Sequence, residues 1–142
     1  MADEKDLVKD VIQVLHDGHK GFSDIGEHLK NPSTKAYFLE ESQTRHKFEH
    51  ELKSAAGITE DVGGTASGAV HRAWGDIKAH LDGGDHALLE TAEQGEDAAE
   101  KAYKDARAGQ LSPAVRDILV SQQAHVVASH DKVKAWRDSK AA

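Results

Sequence analysis

Proline occurs only twice in the 142-residue chain, at Pro32 and Pro113, and each follows a residue suited to cap a helix, Asn31 and Ser112. A proline at the first helical position gives up an N–H that has no intrahelical partner, while the cap oxygen accepts from an orphan backbone donor. Everywhere else the chain is free of this breaker, and apolar residues return at steps of three and four, the period of a helix with one buried face. Sustained apolar–polar alternation, the mark of a strand, is missing. The chain is thereby confined to long amphipathic helices.

Five helical segments are predicted. The first spans 6–29, with Leu7, Val11, Val14/Leu15, Gly18, Phe22, Ile25 and Leu29 on one face. The second spans 32–56, with Tyr37, Glu41, Thr44/Arg45, Phe48, Leu52 and Ala55 inward and Gly57 as its stop. A short third spans 66–81 and carries Val70, Ala73/Trp74, Ile77 and Leu81. The fourth spans 85–108, with Leu88/Leu89, Ala92, Gly95, Ala99, Tyr103 and Ala106 inward. The fifth spans 113–139, with Val115, Ile118/Leu119, Gln122, His125/Val126, Ser129, Val133 and Trp136. Links within each half are short and the link between halves is long. This connectivity predicts a single all-α domain over 1–142, a ferritin-like four-helix bundle of two antiparallel hairpins with a long crossover carrying a short fifth helix. The halves also superimpose in pattern: an offset of 81 lays Phe38 on Leu119 and Leu52 on Val133, and an offset of 77 lays Gly18 on Gly95.

Leu, Ile, Val and Phe together make up 28 of the 142 residues, near the limit below which chains stay disordered, so the helical periodicity carries the prediction of a fold. Cysteine is absent, which removes disulfides, thiolate metal sites and thiol nucleophiles. The net charge of −7 and scattered Lys and Arg argue against binding a phosphate backbone. No run of 18 apolar residues occurs and the start, MADEKDLVKD, is not a secretory signal, so a cytoplasmic protein without membrane association is expected.

A carboxylate di-metal centre in such a bundle takes a Glu from each of two helices and a Glu-x-x-His pair from each of the other two. Here the paired positions read Glu41-x-x-Thr44 and Gln122-x-x-His125, each keeping half of the pair, and the other two helices offer Gly18 and Gly95 at the same level. Asp17, Glu93 and Glu96 are read as flanking the inward stripe. Glu41, Thr44, Gln122 and His125 are therefore expected to form a central polar layer whose members satisfy one another, since buried polar groups need partners. The two mid-helix glycines are read as sites of close packing against a bulky side chain such as Tyr37, Phe48 or Trp74, with a small central cavity as the alternative. Trp74 is read as the anchor of the short helix. The pair His46/His50, at i, i+4, is read as a solvated face able to capture zinc or nickel incidentally.

Four stretches, Asp17-Gly18-x-x-Gly21-Phe22, His71-Arg72-Ala73-Trp74, Gln94-Gly95-Glu96-Asp97 with Tyr103, and His130-Asp131-x-Val133-x-x-x-Arg137-Asp138, span nearly the whole chain. In their order and spacing the chain resembles a bacterial family of ferritin-like four-helix-bundle proteins of unknown function. The resemblance implies the fold and implies no activity. Against the better-known di-iron oxidases, iron stores and stress-induced proteins of that fold, Thr44 stands where His is expected, Gln122 where Glu is expected, and Gly18 and Gly95 where Glu is expected. The favoured expectation is a non-enzymatic, cofactor-free, self-associating bundle with a structural or stress-associated role, with Val120 and Val127 as candidate exposed apolar residues for a homo-oligomer. The alternative is a metal-carboxylate protein binding iron or manganese through Glu41, His125, and Asp17 or Glu93. A partner-binding module built on the crossover helix is a third reading.

Overall fold

A computed structural model describes residues 3–59, 74 and 83–139. Among these residues the protein is all-helical, with four long helices and no strand. They are α1 (Glu4–His28), α2 (Pro32–Ala56), α3 (Asp85–Arg107) and α4 (Pro113–Asp138). The helix predicted over 66–81 lies outside the described residues apart from Trp74, as does His71.

Local chemistry sets the helix ends. Asp3 caps α1 by accepting from the Asp6 amide at 2.9 Å, and Glu4 and Asp6 place negative charge in the first turn, where the helix dipole favours it. Asn31 accepts from the Ser33 and Thr34 amides, with Pro32 following as the sequence predicts. Ser112 does the same for Val115 ahead of Pro113. Gly57 closes α2 in the left-handed region at φ 70°, a conformation that costs glycine nothing.

Contacts between the ends fix the helix directions. The Glu4 carboxylate accepts from the Ser112 amide, so α1 begins beside the turn between α3 and α4. At the other end the Asp85 carboxylate accepts from the amides of Lys30 and Asn31, tying the start of α3 to the turn between α1 and α2. Tyr37, near the start of α2, meets Trp136, near the end of α4, edge to face with ring centroids 5.1 Å apart. Helices α1 and α4 therefore run one way, and α2 and α3 the other. Each helix packs on two neighbours, α1 on α2 and α3, and α4 on α3 and α2.

The apolar interior is divided in two. One cluster gathers Val8, Val11, Leu15, Leu52, Tyr103, Val115 and Leu119 with their neighbours. The other gathers Phe22, Ile25, Phe38, Trp74, Leu88, Leu89 and Val133. Between them, on α1, α2, α3 and α4 in turn, stand Gly18, Glu41 with Arg45, Glu96, and Ser129, all buried. The outer face of α4 carries Val120 and Val127, 42% and 39% exposed, spaced as single apolar residues on a polar surface. No helix among the described residues is long and apolar enough to cross a membrane.

Candidate functional site

The level that separates the two apolar clusters holds a buried ionic group. Arg45 is fully buried. Its Nε donates to Glu41 Oε2 at 2.7 Å, one turn back on α2, and its Nη2 donates to Glu96 Oε2 of α3 at 3.0 Å. Nη1 lies 2.7 Å from Glu96 Oε1, a close ion-pair contact without hydrogen-bond alignment. The ring of Phe22 closes one face of the guanidinium, whose central carbon sits 4.8 Å from the ring centroid. Gly18 supplies the room. A Cβ there would sit in ordinary contact with Arg45, 3.7 Å from Nη1, so any longer side chain from α1 would compete for the volume the guanidinium fills.

His125 adds a second donor. Its Nε2 lies 2.9 Å from both oxygens of Glu41, and because a carboxylate only accepts, Nε2 carries the proton. Burial alone would raise the Glu41 carboxyl. The hydrogen bond from His125 and the charge of Arg45 outweigh it and hold the group below its ordinary value of 4.5. Arg45, which burial would push down, is instead held above the usual arginine range by Glu96 and Glu41. The stability that Glu41 draws from this pairing is present above 4.5, the unfolded value, and is lost as the pH falls through the lower folded value. Denaturant unfolding of the native chain and of Glu41→Gln, from pH 7 to pH 3, is expected to give curves about 2–4 kcal/mol apart at neutral pH that converge in acid. Parallel curves would show that Glu41 is not stabilised as a carboxylate.

The expected central polar layer is thus rearranged. Thr44 is not a member: it is half-exposed and turns its hydroxyl to the Glu40 carbonyl of its own helix, and Arg45, the next residue, takes the inward position. Gln122 is buried but belongs to a separate group, one step into the first apolar cluster. It accepts from the Tyr103 hydroxyl at 2.8 Å and donates to the Phe48 carbonyl at 3.1 Å and Glu51 at 3.0 Å. Burial raises the Tyr103 hydroxyl far above its ordinary value, so it remains a donor. Glu96, read from the sequence as flanking the stripe, is fully buried and pairs with Arg45 from the neighbouring helix. Two carboxylates, Glu41 and Glu96, therefore face inward at this level.

The residues of the metal-carboxylate alternative are not brought to one point. Glu41 and His125 meet, whereas Asp17 accepts from Gln13 at 3.0 Å, and Glu93 is turned toward Arg137 and His130 of α4. His46 and His50 are exposed, with their Nε2 atoms 3.2 Å apart. Gly95 is explained by Trp74, one of the bulky partners considered for it. A side chain at Gly95, or at Gly21 across from it, would overlap the indole, so the two glycines form the slot that receives the ring. Signals for the missed pair were in the sequence: Arg45 sits four residues after Glu41, and Glu96 four after Ala92, both inward spacings.

Fold and site together define a helical bundle with a buried ionic centre of Glu41, Arg45 and Glu96. The family described as a domain of unknown function (DUF2383) matches residues 3–109, and the chain belongs to that family. No curated protein matches it.

Proposed function

We propose that the protein is a non-enzymatic bundle of the ferritin-like type, in which an arginine has taken over the charge-neutralising part that metal ions play in the carboxylate centres of that fold. The ferritin-like reading draws on the helix directions. With α2 and α3 parallel, Gly57 and Gly84 stand at opposite ends of helices about 37 Å long, so the link between the hairpins has to return the length of the bundle. The single observation that carries the non-metal reading is the Arg45 guanidinium seated between Glu41 and Glu96. Arg45 is permanently charged and pairs with both buried carboxylates, and His125 Nε2 donates a hydrogen bond to Glu41. An iron or manganese ion bound by Glu41 would have to expel the guanidinium from a dry site, leaving a second buried cation unpaired.

Elemental analysis of untagged protein from cells grown with added iron and manganese tests this. Neither metal is expected at a stoichiometry that depends on the centre. Iron or manganese retained at one or two per chain in the native protein and lost in Glu41→Gln or Glu96→Gln would overturn the reading.

A further inference from the structure

A second cluster of ionisable groups lies outside the ionic centre, where α3 faces α4. Glu93 and Asp97, one turn apart on α3, oppose His130 of α4, and one donor atom from each lies within 4.8 Å of the others. His130 Nε2 is 2.8 Å from Asp97 Oδ1 and 3.8 Å from Glu93 Oε1. Yet Nε2 is shielded from water and makes no aligned hydrogen bond, although it points between two carboxylates. The donors around it are themselves oriented. Asp131 lies 3.3 Å from His130 Nδ1, the arrangement that fixes a ligating imidazole with Nε2 outward. Arg137 holds Glu93 through Oε2, which leaves Oε1 facing the histidine.

We propose that Glu93, Asp97 and His130 form a site for one divalent ion of the zinc class. One nitrogen and two carboxylate oxygens suit such an ion. Donors at 2.0–2.1 Å from a tetrahedral ion lie about 3.3 Å apart, between the two His130 separations seen here. Asp97 is the adjustable ligand, 61% exposed and free to open the shorter contact, and the same exposure admits water to the fourth position. The surroundings favour a cation. Glu93 and Asp97 face His130 Nε2 and Asp131 faces its Nδ1, so an ion replaces the Nε2 proton among three carboxylates. The site is separate from Glu41 and Arg45, so it stands or falls independently of the reading of the centre.

Zinc titration of the untagged full chain, by calorimetry and equilibrium dialysis at pH 7.5, is the test. One zinc per chain is expected, with affinity at least about tenfold weaker in Asp97→Asn and in His130→Ala, and about tenfold weaker in Asp131→Asn, where only the orienting partner changes. The double variant His46→Ala/His50→Ala is expected to bind as the native chain does. Cobalt is expected to give visible absorption bands in the native chain that are absent in Asp97→Asn, at unchanged helix content. The assignment is overturned by failure to bind one zinc, by unchanged affinity in Asp97→Asn and His130→Ala, or by loss of binding in the His46/His50 variant.

Discussion

Arg45→Met is expected to cost about 3–5 kcal/mol of unfolding free energy, the magnitude for removing one partner of a buried ion pair. The methionine fills most of the arginine's volume, so the loss reads as electrostatic. It leaves Glu41 and Glu96 in a dry layer with only His125 to answer them. Chemical denaturation at pH 7 measures the loss. The same variant is expected to recover part of it on acidification, because protonating the two carboxylates removes the uncompensated charge. The triple variant Arg45→Met/Glu41→Leu/Glu96→Leu is expected to be markedly more stable than Arg45→Met alone, since an apolar layer needs no counter-charge. A loss below about 1 kcal/mol in the single variant, or no gain in the triple, would show that the layer is not an electrostatic unit.

The second large effect concerns the indole slot. Trp74→Ala is expected to cost about 3–5 kcal/mol, as large aromatic truncations in cores do. Gly95→Ala is the more informative change. On a helix interior alanine outranks glycine by about 1 kcal/mol, so an unobstructed site would gain from it. Here the added methyl meets the rigid five- and six-membered rings of Trp74, and overpacking of this kind costs about 1–3 kcal/mol. The expected sign therefore depends on the background: Gly95→Ala destabilises the native chain and stabilises Trp74→Ala. A double-mutant cycle by thermal or denaturant unfolding checks it, and the same sign in both backgrounds would contradict the slot.

How much of this was legible in the sequence follows from what periodicity can and cannot encode. The capping pairs Asn31-Pro32 and Ser112-Pro113 mark helix starts because cap chemistry is local, and the helices begin there. The apolar stripes point to a helical interior because burial is averaged over a whole face. The ionic centre was only half legible. Glu41 and His125 stood out as polar residues on inward stripes, and they meet at 2.9 Å. Arg45 and Thr44 are adjacent, so a stripe drawn at steps of three and four admits either, and neighbouring positions on a helix differ by about 100°. The choice was settled by Gly18, whose missing side chain opens a volume on a different helix. Glu96 was obscured in the same way by Gly95 beside it. Glu93 reads as flanking the inward stripe and Asp97 as solvated surface, and nothing in one-dimensional spacing joins either to His130 on another helix.

The division of the interior into two greasy halves by one charged storey bears on how the rods are held against sliding. Apolar side chains fill each half, and an apolar seam displaced by one turn of about 5.4 Å still buries apolar surface. The charged storey tolerates no such shift: moving α2 one turn along α3 would carry the guanidinium of Arg45 away from Glu96 and into hydrocarbon. The level thus acts as a vernier mark, setting the axial position of α2 against α3 across the interior.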